Sequence, residues 1–124
     1  MGPADGRLSD SDVRLRLADH LIDAKAFQLT TRRAGLEANA AQGLSAATSI
    51  MKYAGAKIAQ DRTEIAVEAL GARGLGWEGE GFERSELAVT RAWLRSKANS
   101  IEGGTSEINL NVVAKRVLGL PDPK

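Results

Sequence analysis

Residues 12–36, DVRLRLADHLIDAKAFQLTTRRAGL, decide the fold. Leu15, Ile22, Leu29 and Leu36 recur every seven residues, and Leu17, Leu21 and Ala24 widen the stripe. Apolar residues at this spacing predict one helix of about 25 residues with a single buried face. Ser9 or Ser11 stands where an N-cap belongs, with Asp10 and Asp12 beside it. Gly35 weakens the pattern only modestly, and Ala38 to Gly43 reads as a turn.

Working outward, a second helix begins at Ser45 and carries Ala47, Ile50, Ala54, Ile58, Ile65 and Ala69. Its small residues, Ala54, Gly55, Ala56 and Ala59, allow close approach of a neighbouring helix, and Gly71 and Gly74 close it with C-cap chemistry. Leu75 to Phe82, LGWEGEGF, reads as a loop whose Trp77 and Phe82 fold back over the helices. A third helix runs from about Arg84 to Asn99, with Leu87 and Leu94 on one face and Trp93 beside them. No sustained period-two alternation appears, so no sheet is expected. The pattern predicts an all-α fold, an antiparallel up-and-down helical bundle of three long helices plus a short terminal helix. Residues 1–8 read as a flexible leader and 9–124 as the bundle. Its expected core contains Leu15, Ile22, Leu29, Ile50, Ile58, Ile65, Leu87 and Leu94.

A chain of 124 residues suits one domain. With 17 basic and 16 acidic residues the net charge is +1, too small for a global field that would attract nucleic acid or a membrane. Arg14 and Arg16 lie among acidic neighbours, as on a solvated helix face. Aromatic residues are only 4%, which favours close helix packing over strands. The absence of cysteine excludes disulfide and thiolate chemistry and agrees with a cytoplasmic location. No apolar run approaches a transmembrane span, and MGPADGR lacks a signal-peptide pattern. His20, the one histidine, reads as a surface or half-buried residue; without cysteine or a second histidine no zinc site is expected.

Ser100 to Leu120, SIEGGTSEINLNVVAKRVLGL, places a glycine pair and a hydroxyl residue before a short apolar-periodic helix. Gly103 and Gly104 permit positive φ. Thr105 suits an N-cap, and Glu107 lies in the first turn, where a carboxylate suits the helix dipole. Ile108, Val112, Val113 and Val117 pack the helix, and Gly119 with Pro121 ends it. From spacing alone, two readings stand: a capped turn between helices, or a helix start whose free N–H groups receive an anion.

IEGGTSEI followed by VAKRVLGLP resembles the C-terminal end of the acyl-CoA dehydrogenase family. EALGARG, Glu68 to Gly74, resembles that family's Gln-x-x-Gly-Gly-x-Gly segment, and ERSELAVTRAWLRSKANS between the two resembles its last long helix. The likeness runs from about Asp12 to Pro121. It implies the last three long helices and the short terminal one of the family's C-terminal bundle, without its first helix, in a fragment or truncated relative. The family's reaction is α,β-dehydrogenation of an acyl-CoA thioester: a base removes the α proton while a hydride moves from the β carbon to the flavin of FAD, and an electron-transfer flavoprotein then takes the electrons.

The same resemblance assigns roles. Glu68, Gly71, Arg73 and Gly74 match the segment that approaches the flavin's phosphates, commonly from a neighbouring subunit, which implies a homo-oligomer. Glu68 stands where the family usually has glutamine and Ala72 where it usually has glycine. A carboxylate there repels a pyrophosphate, and Arg73 can offset it. Thr105 and Glu107 match positions near the adenosine part of FAD, and Gly104 beside them is taken as cofactor-binding too. In many members the catalytic base directly precedes the Gly-Thr pair. Gly103 fills that slot here, so Glu102 is a candidate base by proximity only; its alternative role is pairing with a basic neighbour such as Lys97. The chain alone is expected to be inactive and to bind FAD weakly or not at all. The alternative reading is a non-catalytic helical oligomerisation module without cofactor.

Overall fold

A computed structural model describes residues 10–40 and 46–121. The order is α1 (Ser11–Asn39), α2 (Ala46–Leu70), a 3₁₀ turn (Gly71–Leu75), α3 (Arg84–Ser96), a second 3₁₀ turn (Lys97–Ser100), α4 (Ser106–Val112) and a π turn (Val113–Val117). No strand occurs among the described residues. The all-α antiparallel bundle predicted from periodicity is thus the fold. Helix α2 is its centre, packed by α1, α3 and α4. The expected leader, the cap at Ser9, residues 41–43 of the expected first turn and Ser45 lie outside the described residues, while Ala38 and Asn39, expected in that turn, belong to α1. The cap of α1 is Asp10, whose carboxylate accepts from the N–H groups of Asp12 and Val13 at 2.8 and 3.2 Å.

The buried face of α1 is not the heptad stripe. Leu15 and Ile22 are each 67% exposed, and Leu29 and Leu36 are also open to solvent. Val13, His20 and Ala34 are buried, with Ala24 and Phe27 half-buried between them. Val13, His20, Phe27 and Ala34 each precede a stripe residue by two positions, a rotation of about 200°, so the two sets occupy opposite sides of the helix. Helix α1 therefore has two apolar faces, and shape decides which one packs. The Phe27 ring lies over Gly55 of α2, where a Cβ would stand 3.2 Å from Cζ. His20 is drawn in with this face, and its Nδ1 has no hydrogen-bond partner, a deficit worth about 1–3 kcal/mol. The expected core needs further correction: Ile50 and Leu94 are exposed, Ile58 and Leu87 half-buried, and Ile65 alone of the set is buried. The most buried apolar side chains are Val13, Ala34, Ala56 and Ile65.

The other side of α2 meets α3 through hydrogen bonds. Thr63 Oγ1 bonds to Ser96 Oγ at 3.0 Å, and Gln60 Nε2 donates to Ser96 O and Ser100 Oγ at 3.2 and 3.1 Å. Ser96 and Thr90 are both buried. Thr90 Oγ1 donates to the Gly74 carbonyl at 3.0 Å, which ties the turn after α2 to α3. Phe82 folds back as expected, so close to Gly76 that a Cβ there would lie 2.5 Å from its ring. Trp77 does not fold back fully. It stays 53% exposed, held by the Arg91 guanidinium 5.3 Å from its ring and by a 2.8 Å bond from Arg91 to its carbonyl.

Candidate functional site

The candidate residues fall into two groups. The first caps the far end of α2. Gly71 has φ +56°, which lets the chain leave the helix, and nothing stands within 4 Å of where its Cβ would be. Its backbone is therefore open to a ligand. Gly74 is a glycine for a different reason: a Cβ there would sit 2.5 Å from the Val67 carbonyl oxygen. Its requirement is packing against α2.

Both charged side chains of this group are already paired. Arg73 Nε donates to Glu86 Oε1 at 2.6 Å and Nη1 to the Gly81 carbonyl at 3.1 Å, while its guanidinium lies 5.8 Å from the Phe82 ring. Glu68 accepts a hydrogen bond from Arg16 of α1, and this bond raises the Arg16 pKa. The Glu68 carboxylate is thus paired from α1, while Arg73 is turned into its own loop. Arg16 also reaches Glu64 at 3.9 Å, and Glu64 accepts from Lys97 at 3.1 Å.

The second group lies beside the beginning of α2. Gly103 and Gly104 both have positive φ, +66° and +101°. Thr105 is the N-cap of α4, with its hydroxyl accepting from the Ile108 N–H at 3.4 Å. Asn109 Nδ2 clamps the turn by donating to the Gly104 and Thr105 carbonyls at 3.0 and 2.9 Å. The backbone N–H of Glu107 itself, then the Thr105 hydroxyl, hold the Glu107 carboxyl below its usual range. Glu102 borders a cleft of about 250 Å³ shared with Lys52, Gly55, Ala56 and Asn99. Arg95 Nη2 donates to both Glu102 oxygens, at 3.2 and 3.0 Å. The basic neighbour of Glu102 is therefore Arg95, and Lys97 turns to Glu64 instead.

The structure does not bring the two groups together within one chain. Lys52, against which Gly103 packs, and Glu68 are sixteen residues apart on α2, about 24 Å along its axis. Arg16, Arg95 and Asn109 were not legible as partners of these sites. Arg16 reads as one charge on a solvated helix face. Arg95 precedes Glu102 by seven residues across a helix end, where no periodicity relates them.

Glu64 and Glu86 are held below the usual carboxylate range chiefly by hydrogen bonds from Lys97 and Arg73. Their folded pKa values, like that of Glu107, lie below the unfolded ones, so the unfolded chain binds more protons in acid. The stability they contribute is present well above the reference value of 4.5 and is lost as pH falls through the folded values. The urea midpoint should therefore be lower at pH 3 than at pH 7. Glu64→Gln should lower the pH 7 midpoint and shrink the difference between the two; an unchanged difference would show that Glu64 takes no part in it.

Among the described residues no helix is long and apolar enough to cross a membrane. The family model for "Acyl-CoA dehydrogenase, C-terminal domain" matches residues 3–118. Acyl-CoA dehydrogenase IpdE1 of Mycolicibacterium smegmatis is 43% identical over 58 residues, which cover 47% of this chain and 14% of that relative. The matched stretch is thus a small part of the relative's length. No solved structure matches the chain. The all-helical fold is consistent with that match, and the chain belongs to the acyl-CoA dehydrogenase family as its C-terminal domain.

Proposed function

We propose that this domain serves a flavin-dependent acyl-CoA dehydrogenase that desaturates an acyl-CoA thioester between its α and β carbons, and that it is inactive alone. The observation that best supports the reading is the open Gly71 turn, a bare backbone in the segment that resembles the family's flavin-approaching one. Gly71 and Gly74 would border one end of an FAD, and Gly104, Thr105 and Glu107 the adenosine end of one. Bound FAD would supply the hydride acceptor. Glu68 and Arg73, already paired within the chain, would contribute little net charge to that contact. Homo-oligomerisation and transfer of electrons to an electron-transfer flavoprotein complete the reading.

Glu102 is not the sole catalytic base in this proposal. Its two oxygens face Arg95, and a general base needs its lone pair within reach of the substrate proton. In the enzyme that carries this domain, Glu102→Gln should lower turnover on acyl-CoA less than about tenfold; a loss of ~10²–10⁴ with FAD retained would make Glu102 the base. The 124-residue chain alone should retain no flavin on purification, because a few edge contacts must offset the whole cost of immobilising the ligand. A yellow protein with stoichiometric flavin would overturn this.

The second reading, a helical oligomerisation module without cofactor, is favoured by the open apolar face of α1. Flavin absorbance of the whole enzyme separates the two.

A further inference from the structure

We infer that Arg16 of α1 is a positioning residue for the cofactor: it holds the Glu68 carboxylate and offsets its charge, so that the turn at Gly71 can receive the diphosphate of FAD. This role rests on the proposed function, in which the Gly71 turn borders FAD. It names the side chain that makes that turn acceptable to an anion.

The end of α2 is by itself a poor place for an anion. The carbonyl groups of a helix's last turn carry its negative partial charge, and α2 has no basic residue in that turn. Glu68 stands there too, three residues before Gly71, a rise of about 4.5 Å. Charges act on one another over that distance at ordinary salt, where screening sets in at about 10 Å. An unpaired carboxylate at Glu68 would therefore repel a diphosphate at the Gly71 backbone. Arg73, the cation nearest in sequence, is already committed to Glu86 and the Gly81 carbonyl, at 2.6 and 3.1 Å.

Arg16 supplies the charge from another helix. Its Nη1 donates to Glu68 Oε2. The second carboxylate within its reach, Glu64 at 3.9 Å, has its own cation in Lys97 at 3.1 Å, so Arg16 is left to Glu68. Stability does not account for the pair. Both side chains are 37% exposed, and ion pairs so open to water contribute little to folding. What singles the pair out is its placement. It lies one helical turn before a backbone that stands open, with Gly71 at φ +56° and nothing within 4 Å of a Cβ there. A glutamine at position 68 would need no such partner, because its amide is uncharged and can donate to a phosphate oxygen. Here a carboxylate with its counter-ion takes the place of that amide.

The test uses flavin-free preparations of the whole enzyme that carries this domain, titrated with FAD and read by flavin fluorescence. Arg16→Gln should weaken FAD binding about tenfold or more at about 50 mM salt, and the loss should shrink at about 500 mM, where the freed carboxylate is screened. Arg16→Lys, which keeps the charge, should retain most of the affinity. Glu68→Gln should bind FAD at least as tightly as the unmodified enzyme. Adding Glu68→Gln to Arg16→Gln should recover the affinity that Arg16→Gln loses, which a merely structural role of the pair does not predict. Unchanged affinity in Arg16→Gln, or no recovery in the double variant, would overturn the role of Arg16. So would weaker binding by Glu68→Gln, a measurement that stands even where Arg16→Gln does not fold. If FAD binds equally to every variant, only the role of Arg16 falls. An unmodified enzyme that binds no FAD would overturn the proposed function, and this role with it.

Discussion

Ile65→Ala is expected to lower the free energy of unfolding by about 2–5 kcal/mol, the cost of removing a large aliphatic side chain from a packed site. Ile65 is 6% exposed and lines the same cleft as Asp19, His20 and Asp23 of α1. Leu29→Ala, at a position of equal sequence-level promise, should cost well under 1 kcal/mol in dilute monomer, because Leu29 is 53% exposed and surface changes are usually small. Urea denaturation at low protein concentration checks both. Equal losses at the two positions would mean that the heptad stripe is buried and that the packing of α1 described above is wrong. Total stabilities of small domains are about 5–15 kcal/mol, so the Ile65 loss alone can take up a large share.

The second large effect is expected at Gly74. Gly74→Ala places a methyl group 2.5 Å from the Val67 carbonyl oxygen and 3.0 Å from Val67 Cγ1. The first of these atoms is backbone in the last turns of α2, and Thr90 pins the turn from α3. Relief requires the turn to shift and the buried Thr90 bond to stretch. A cost of about 1–3 kcal/mol is expected from overpacking, with some added loss if Thr90 is left without its acceptor. Gly71→Ala, which has open space but positive φ, tests backbone strain instead. If Gly74→Ala leaves the melting temperature unchanged, the turn does not pack on α2 as described.

The helices were legible because α1, α2 and α3 each carry helical periodicity, and the caps at Gly71 and Thr105 are local chemistry. The buried face of α1 was not. Leucines and isoleucines at seven-residue intervals outweigh Val13, His20 and Ala34 on any hydrophobicity scale, yet the smaller set is buried. What decides is the partner: Gly55 leaves a recess for Phe27, and a recess on another helix has no periodicity in this one. The candidate site was legible only as motif. Gly71 and Gly104 show their positive φ through their residue type. That Arg16 would meet Glu68, and Arg95 Glu102, depends on how helices turn and where they end.

The polar contact between α2 and α3 has a consequence for how the two helices can be aligned. Apolar ridges mesh almost equally well after a slide of one turn, about 5.4 Å, but hydrogen bonds do not. Such a slide would part Thr63 from Ser96 and Gln60 from Ser100, and would carry Thr90 away from Gly74. The hydroxyls would keep only the bonds within their own helices, and each bond lost across the seam would cost about 0.5–1.5 kcal/mol. The seam gives up some hydrophobic burial and in return admits a single axial alignment. Because the glycine turn hangs from Thr90 and the Glu102 loop follows directly on Ser100, that alignment also sets the distance between the two ends at which the family's chemistry is expected.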